Sequence, residues 1–336
     1  MKILNIILGM SLGGAAMFVR NLCRVSRHDH HILGIQPKWE IMDVSGLPYF
    51  ECLSVGSVRR LIHRERYDLL HWHWWQPLDL MTHLADWNTG IPQMVTVHVY
   101  GYEPPYVLGQ FEIELADKIV FVTPSALGLP ENRDIPEHKV CVINAGADLA
   151  PFLKIERTDR PGFVIGRAGV LNRSKCPGDI VDVLKRIQIP EAEFLVAGDG
   201  ELRKGFEKQL GNDSHRFVFL GFVRDMVGFY ASLDLYCYQL PAKSYAAAEL
   251  NIQEAMAAAL PIVMFPSPGA RHLIEHGVTG LIAHSADELV THCETLYQDR
   301  DARAVLSRNA RKTVVAQYGI ENSARAFDQV FASLAG

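Results

Sequence analysis

Long apolar runs are missing from this chain: no hydrophobic stretch approaches the roughly 20 residues needed to cross a bilayer. Cysteine is sparse and unpatterned. Cys23, Cys52, Cys141, Cys176, Cys237 and Cys293 stand singly, without a CxxC pair. That excludes a disulfide framework and points to reduced, mostly buried thiols of a cytosolic protein. A basic excess is also absent, since 33 Lys and Arg face 38 Asp and Glu for a net charge of −5. A nucleic-acid binder is expected to show the opposite balance. No internal repeat or low-complexity tract is visible. The opening Met1-Lys2-Ile3-Leu4-Asn5-Ile6-Ile7-Leu8 lacks a small-residue cleavage site and passes directly towards Gly13-Gly14, so a strand is expected rather than a signal peptide. What is present is 49% apolar and 21% charged residues over 336 positions, enough for two cored domains.

Short apolar runs alternate with helix-period segments from end to end, the pattern of parallel α/β sheets. Strands are expected at Lys2–Leu8, His31–Ile35, Tyr49–Val55, Leu69–Trp74, Met94–Val99, Lys118–Thr123 and Val140–Asn144, with a helix over Ala15–Val25. Polar residues and a proline cluster from Leu153 to Gly162, which marks a linker. A second series follows, with strands at Phe163–Gly166, Glu193–Ala197, Phe217–Leu220, Leu233–Tyr238, Pro261–Phe265 and Gly280–Ile282, and a helix over Asp179–Ile187. From Ala286 the chain reads as helical. The expected organisation is residues 1–155 as one Rossmann-like domain and 156–318 as a second, with 319–336 a helix packing back on the first. Doubly wound parallel sheets bind ligands beyond the carboxyl ends of their strands.

Several stretches carry chemistry, each with a plainer reading beside it. Leu250 onward reads as a helix stopped by Pro261, entered through the polar segment Gln239-Leu240-Pro241-Ala242-Lys243-Ser244. Its first turn at Leu250 and Asn251 offers free backbone N–H groups to a phosphate, and Glu254 one turn in can accept hydrogen bonds from a ribose. The plain alternative is a buried Ala-rich helix with Glu254 solvated or paired. Gly13-Gly14 permits close approach of a bound group or simply makes a tight turn. His71 and His73 share one face of a strand, without a third ligand for a metal. His98 ends a strand beside the irregular Tyr100-Gly101-Tyr102, as a site residue or a packing one. Arg167, Arg173 and Lys175, expected on one loop after a strand, either clamp a diphosphate or form an exposed basic surface. The segment Ser57–Arg66, with Arg59, Arg60, Arg64 and Arg66, is a solvated helix face or a docking patch for anionic lipid.

Glu254-Ala255-Met256-Ala257 followed by Leu260-Pro261-Ile262-Val263 closely resembles the signature helix of retaining, nucleotide-sugar-dependent glycosyltransferases of the GT-B fold, family 4. The resemblance runs through Gly13-Gly14, the His71–His73 strand, Thr96-Val97-His98, Arg167 to Lys175, Gly198-Asp199-Gly200, Gly221-Phe222-Val223 and Pro268-Gly269, in that order. It implies two Rossmann-like doubly wound domains facing a cleft. It also implies transfer of a sugar from a nucleotide sugar to an acceptor hydroxyl, in polysaccharide or glycoconjugate biosynthesis, without a metal or other cofactor. By resemblance His98, Arg167 and Lys175 would act in catalysis. Gly13, Gly14, Val223, Glu249, Leu250, Asn251 and Glu254 would hold the donor, and His73, Tyr100 and Tyr102 would line the acceptor side. The acceptor would be a glycan, a lipid-linked sugar or a small molecule, and the enzyme cytoplasmic or peripheral on the inner membrane face.

The family usually carries two glutamates eight positions apart. Here the first position is Ala246, and at His272 relatives often carry a glutamate. Glu249, at the helix entrance, is the candidate substitute. Those departures leave open a catalytically silent homologue that binds a nucleotide or partner protein. A GT-B sugar-nucleotide epimerase shares the fold, but the signature helix argues against it.

Overall fold

The computed structural model describes residues 1–11, 13–36, 42–52, 54–74, 80–81, 84, 90–100, 107–156 and 161–334. The chain divides into two compact units. The first is Met1–Ala147 together with Tyr318–Gly336, and the second is Asp148–Gln317.

The first unit holds β1 (Lys2–Ile7), α1 (Gly14–Val25), β2 (Asp29–Gly34), β3 (Tyr49–Glu51), α2 (Val55–Glu65), β4 (Leu69–Trp74), β5 (Gln93–Val97), α3 (Gln110–Leu115), β6 (Lys118–Phe121) and β7 (Val140–Val142). Among the described residues its strands form one parallel sheet in the order β3-β2-β1-β4-β5-β6-β7. Ile3, Leu4, Ile6 and Ile7 are all fully buried, so β1 is covered on both faces, which is why it reads as a continuous apolar run. Asn5 in β1 and His71 and His73 in β4 interrupt that apolar centre and are themselves fully buried.

The second unit holds β8 (Phe163–Ala168), α4 (Ile180–Lys185), β9 (Ala192–Ala197), α5 (Arg203–Leu210), β10 (Phe217–Gly221), α6 (Met226–Ala231), β11 (Leu235–Gln239), α7 (Leu250–Ala257), β12 (Ile262–Phe265), β13 (Leu281–Ile282), α8 (Ala286–Gln298) and α9 (Arg300–Gln317). Its parallel strand order is β10-β9-β8-β11-β12-β13. The core gathers Ile165, Phe194, Val196, Leu235 and Val263 from the sheet with Ile180, Leu184, Phe206 and Leu289 from the helices. The six cysteines are free thiols, four of them buried. Helix α10 (Ile320–Leu334) then returns to the first unit and packs on α1, with the Phe18 and Phe327 rings 5.7 Å apart. The backbones pass closely there. A Cβ on Gly146 would stand 2.3 Å from the Tyr318 carbonyl oxygen, so only glycine fits.

In both sheets the order in which strands are added reverses once. In the first, chain order runs outward from β1 on one side and from β4 on the other; in the second, β8 and β11 play those parts. The carboxyl ends of these pairs are the switch points at which α/β sheets open a crevice for a ligand.

Several expectations are corrected. The strand from Tyr49 stops at Glu51 rather than Val55, because Ser54 caps α2 by exchanging hydrogen bonds with Ser57. Strand β8 runs to Ala168, so Arg167 lies inside a strand and not on the loop after it. The helix at Leu250 ends at Ala257, not at Pro261. Ala259 turns left-handed (φ 53°), and the Leu260 amide bonds back to the Ala255 carbonyl before the proline is reached. Helices α3, α5 and α6 were not expected at all.

Candidate active site

In the second unit the switch point between β8 and β11 collects most of the expected donor residues. Arg167, next to last in β8, is only 3% exposed. Its Nη2 donates to the Lys175 carbonyl at 2.9 Å, while Nε and Nη1 are buried without a hydrogen-bond partner. The guanidinium lies 5.6 Å from the centre of the Tyr238 ring, which stacks on Tyr236. Lys175, half-buried, makes an ion pair with Glu249 and lies 4.8 Å from the Tyr245 ring centre. Glu249 also accepts a 2.5 Å hydrogen bond from the Tyr238 hydroxyl. Arg173 is exposed, which separates it from the buried Arg167.

Glu249 occupies the N-cap of α7 with φ 36° and ψ 70°, a left-handed conformation that costs a non-glycine residue about 1–3 kcal/mol. The start of the helix is held against β8 by the Asn251 side chain, whose Nδ2 donates to the Ala168 carbonyl at 2.8 Å. The approach segment is tied down as well, since Ser244 Oγ donates to the Ser174 carbonyl. Ala246 is fully buried beside it. Leu250 opens the helix half-buried, and Val223 sits half-buried just past β10.

Glu254 faces Tyr230. That hydroxyl stands 2.9 Å from the Asn251 carbonyl and 3.1 Å from Glu254 Oε2, and its one proton serves only one acceptor at a time. Burial pushes the Glu254 carboxyl up to about 7. Its protonated form can donate to the Tyr230 hydroxyl oxygen, and its ionised form can accept from it. Tyr230, Tyr238 and Tyr245 touch Glu254, Glu249 and Lys175 and were not among the expected candidates. The alternation of Tyr236 and Tyr238 along β11 puts both on one face and was the available signal.

In the first unit, the other switch point collects Gly13, Gly14, His73 and His98. Gly13 (φ −113°) has an ordinary extended backbone, and Gly14 is not in the left-handed region. A Cβ on either would meet nothing within 4 Å. Neither φ nor packing therefore demands glycine here, while the Gly13 amide bonds back to the Ser11 carbonyl at 2.8 Å, so a tight turn and open space over an exposed helix start are both present. His98, directly after β5, is half-buried with its Nε2 2.9 Å from His73 Nδ1. His71 spends its Nε2 on Thr96 Oγ1 at 2.7 Å, and its ring centre lies 4.0 Å from that of His73. Burial lowers all three imidazoles, His98 to about 3 and the other two well below the ordinary range, so each is neutral near pH 7. Tyr100 is half-buried, and Tyr102 lies outside the described residues. Among the described residues no cluster of His, Cys, Asp or Glu could hold a metal ion.

The apolar side of α2 faces inward through Val58, Leu61 and Ile62, and the outer side exposes Arg60, His63 and Arg64, followed by Arg66 at the C-cap. No helix among the described residues is long and apolar enough to cross a membrane.

Comparison with known proteins gives these geometries a context. Residues 12–151 match the model described as Glycosyltransferase Family 4, and residues 162–299 the model described as Glycosyl transferases group 1. The chain is 24% identical over 300 residues to the UDP-Gal:alpha-D-GlcNAc-diphosphoundecaprenol alpha-1,3-galactosyltransferase of Escherichia coli, covering 80% of this chain and 76% of that one. It is 28% identical over 188 residues to the alpha-monoglucosyldiacylglycerol synthase of Acholeplasma laidlawii, covering 50% and 46%. Among solved structures, Anabaena HepE in complex with UDP superposes with a TM-score of 0.81 at 18% identity, over 99% of this chain and all of the other.

Proposed function

The chain belongs to the family 4-like glycosyltransferases of the GT-B fold, and from that premise we propose that it transfers a sugar from a UDP-sugar to a lipid-linked acceptor with retention of configuration. UDP is the choice because solved relatives hold UDP and UDP-glucose. A lipid-linked acceptor is the choice because the named relatives are a GlcNAc-diphosphoundecaprenol galactosyltransferase and a monoglucosyldiacylglycerol synthase. The diphosphate would rest at the amino end of α7, with Arg167 and Lys175 neutralising charge as the bond to the sugar breaks. Those two cations would fill the place a metal takes in other transferases. Glu254 would accept from the ribose hydroxyls, and Val223 would lie by the base. No carboxylate stands at Ala246, so Glu249 would be the acid nearest the sugar. His98 would contact a sugar hydroxyl.

One observation carries this reading. A buried guanidinium with two unpartnered nitrogens costs about 1–3 kcal/mol per unmet group, and an anionic ligand removes that cost. Arg167→Met should therefore weaken UDP binding by about 1.5–3 kcal/mol, the worth of a charged hydrogen bond, measured by calorimetry. Unchanged UDP affinity in the folded variant would overturn the donor assignment. A panel of UDP-sugars with lipid-linked acceptors, read by the anomeric configuration of the product, tests the acceptor and the stereochemistry.

A further inference from the structure

A line of buried polar side chains runs through the first unit from His98 to the carboxyl-terminal helix. His98 Nε2 lies 2.9 Å from His73 Nδ1, and His73 Nε2 lies 3.2 Å from Asn5 Oδ1. Asn5 Nδ2 lies 3.0 Å from His30 Nδ1, His30 Nε2 lies 2.8 Å from Ser26 Oγ, and Ser26 Oγ donates to Asp328 Oδ1 at 2.6 Å. Asn5 and His73 are fully buried and His30 is 3% exposed.

The direction of every bond in this line follows from two fixed points. Asn5 Nδ2 also donates to the His31 carbonyl at 3.0 Å. A carbonyl only accepts, so the amide orientation is settled and Oδ1 must face His73. His73 therefore carries its proton on Nε2, and being neutral it has a lone pair on Nδ1. That lone pair requires a proton on His98 Nε2, which leaves the His98 lone pair on Nδ1. The other half agrees independently. Ser26 Oγ accepts from the His28 amide at 3.3 Å and donates to the Asp328 carboxylate, so it must accept from His30 Nε2–H. His30 Nδ1 is then the acceptor that Asn5 Nδ2 needs. The two halves meet at Asn5 without a conflict.

The geometry points to Asn5 and His73 as positioning residues that hold His98 in its Nε2–H form, so that Nδ1 presents a lone pair to a hydroxyl of the bound sugar. The opposite tautomer would set two lone pairs 2.9 Å apart between His98 and His73, with no donor for either. Loss of one buried hydrogen bond biases such a balance by about tenfold or more. Burial, which lowers His30 to about 4 and His98 to about 3, keeps these imidazoles neutral and the tautomer question meaningful. The hydroxyl contact rests on the transferase reading above; the tautomer does not.

Long-range proton–nitrogen correlation spectra of the histidine rings test it directly, with His98 assigned by loss of its signals in His98→Gln. In the wild-type protein without substrate, His98 should show a protonated Nε2 and a bare Nδ1; a bare Nε2 overturns the inference. Asn5→Leu should release His73 and let the His98 tautomers mix. Asp328→Asn should leave the His98 signals in place, because the orientation is set at Asn5; a His98 flip in Asp328→Asn also overturns it. In turnover, Asn5→Leu should lower kcat about tenfold, the kinetic equivalent of one hydrogen bond, with UDP affinity unchanged. It should cost little more once His98→Gln is present. Full additivity of the two losses would show that Asn5 does not act through His98. If no donor is turned over at all, the transferase reading fails and the ring spectra still decide this one.

Discussion

Lys175 and Glu249 answer to each other before they answer to any ligand. Their ion pair sits beside the Tyr238 hydroxyl, so removing either charge strands the other in a half-buried place. Lys175→Ala and Glu249→Gln should therefore be non-additive in sugar transfer, with a coupling of about 0.5–3 kcal/mol in a double-mutant cycle. Additive losses would mean the two side chains serve separate tasks. Glu254 makes a pH prediction. Its folded pKa of about 7 lies above the ordinary 4.5, so it contributes stability that is complete below 4.5 and is lost as pH rises through 7. Ribose hydroxyls donate to the carboxylate and favour its ionised form, so UDP binding near pH 6.5 should release a proton. Calorimetry in two buffers of different ionisation enthalpy measures that release, and Glu254→Gln should abolish it. A release that persists in Glu254→Gln would assign the proton elsewhere.

At the scale of elements, sequence alone placed Leu69–Trp74 without error and most other parallel strands to within one to three residues, because buried strands are short unbroken apolar runs. It failed where polar residues enter them. Arg167 looked like a loop residue because a charge ordinarily ends a buried strand; here the strand continues and buries the charge at its carboxyl end. Helices α3 and α6 have six residues each, too few for a clear 3.6-residue period. Helix α2 was partly legible, as a basic segment with an apolar stripe, but the stripe proves to be core-facing. If this surface meets a membrane, it does so by charge alone. Arg60→Glu with Arg64→Glu should weaken binding to anionic vesicles by about 2 kcal/mol at low salt, near 1 kcal/mol per cation removed, and raised salt should erase the difference. Vesicle sedimentation measures both. Equal binding by wild type and variant would rule out α2 as the contact.

At the scale of the whole molecule, the chain builds its first unit, builds the second, and comes back to finish the first with α10. Alternation of strands and helices made two sheets legible. The partners of α10 were not, because Asp328 and Ser26 are 302 positions apart and no local pattern records such a pairing. Phe327 shows what the return contributes. It is fully buried, 5.7 Å from the Phe18 ring and 5.8 Å from that of His71, centre to centre. Phe327→Ala should cost about 3–5 kcal/mol of stability, the usual loss for a buried Phe with its cavity. The groups proposed to hold the nucleotide, Arg167, Lys175, Asn251 and Glu254, belong to the second unit. The variant, once folded, should therefore bind UDP as the wild type does while losing denaturant resistance. Paired unfolding and calorimetry on one preparation separate the two properties. A weakened UDP affinity in folded Phe327→Ala would show that the nucleotide draws on the first unit, and the donor assignment would have to be enlarged to include it.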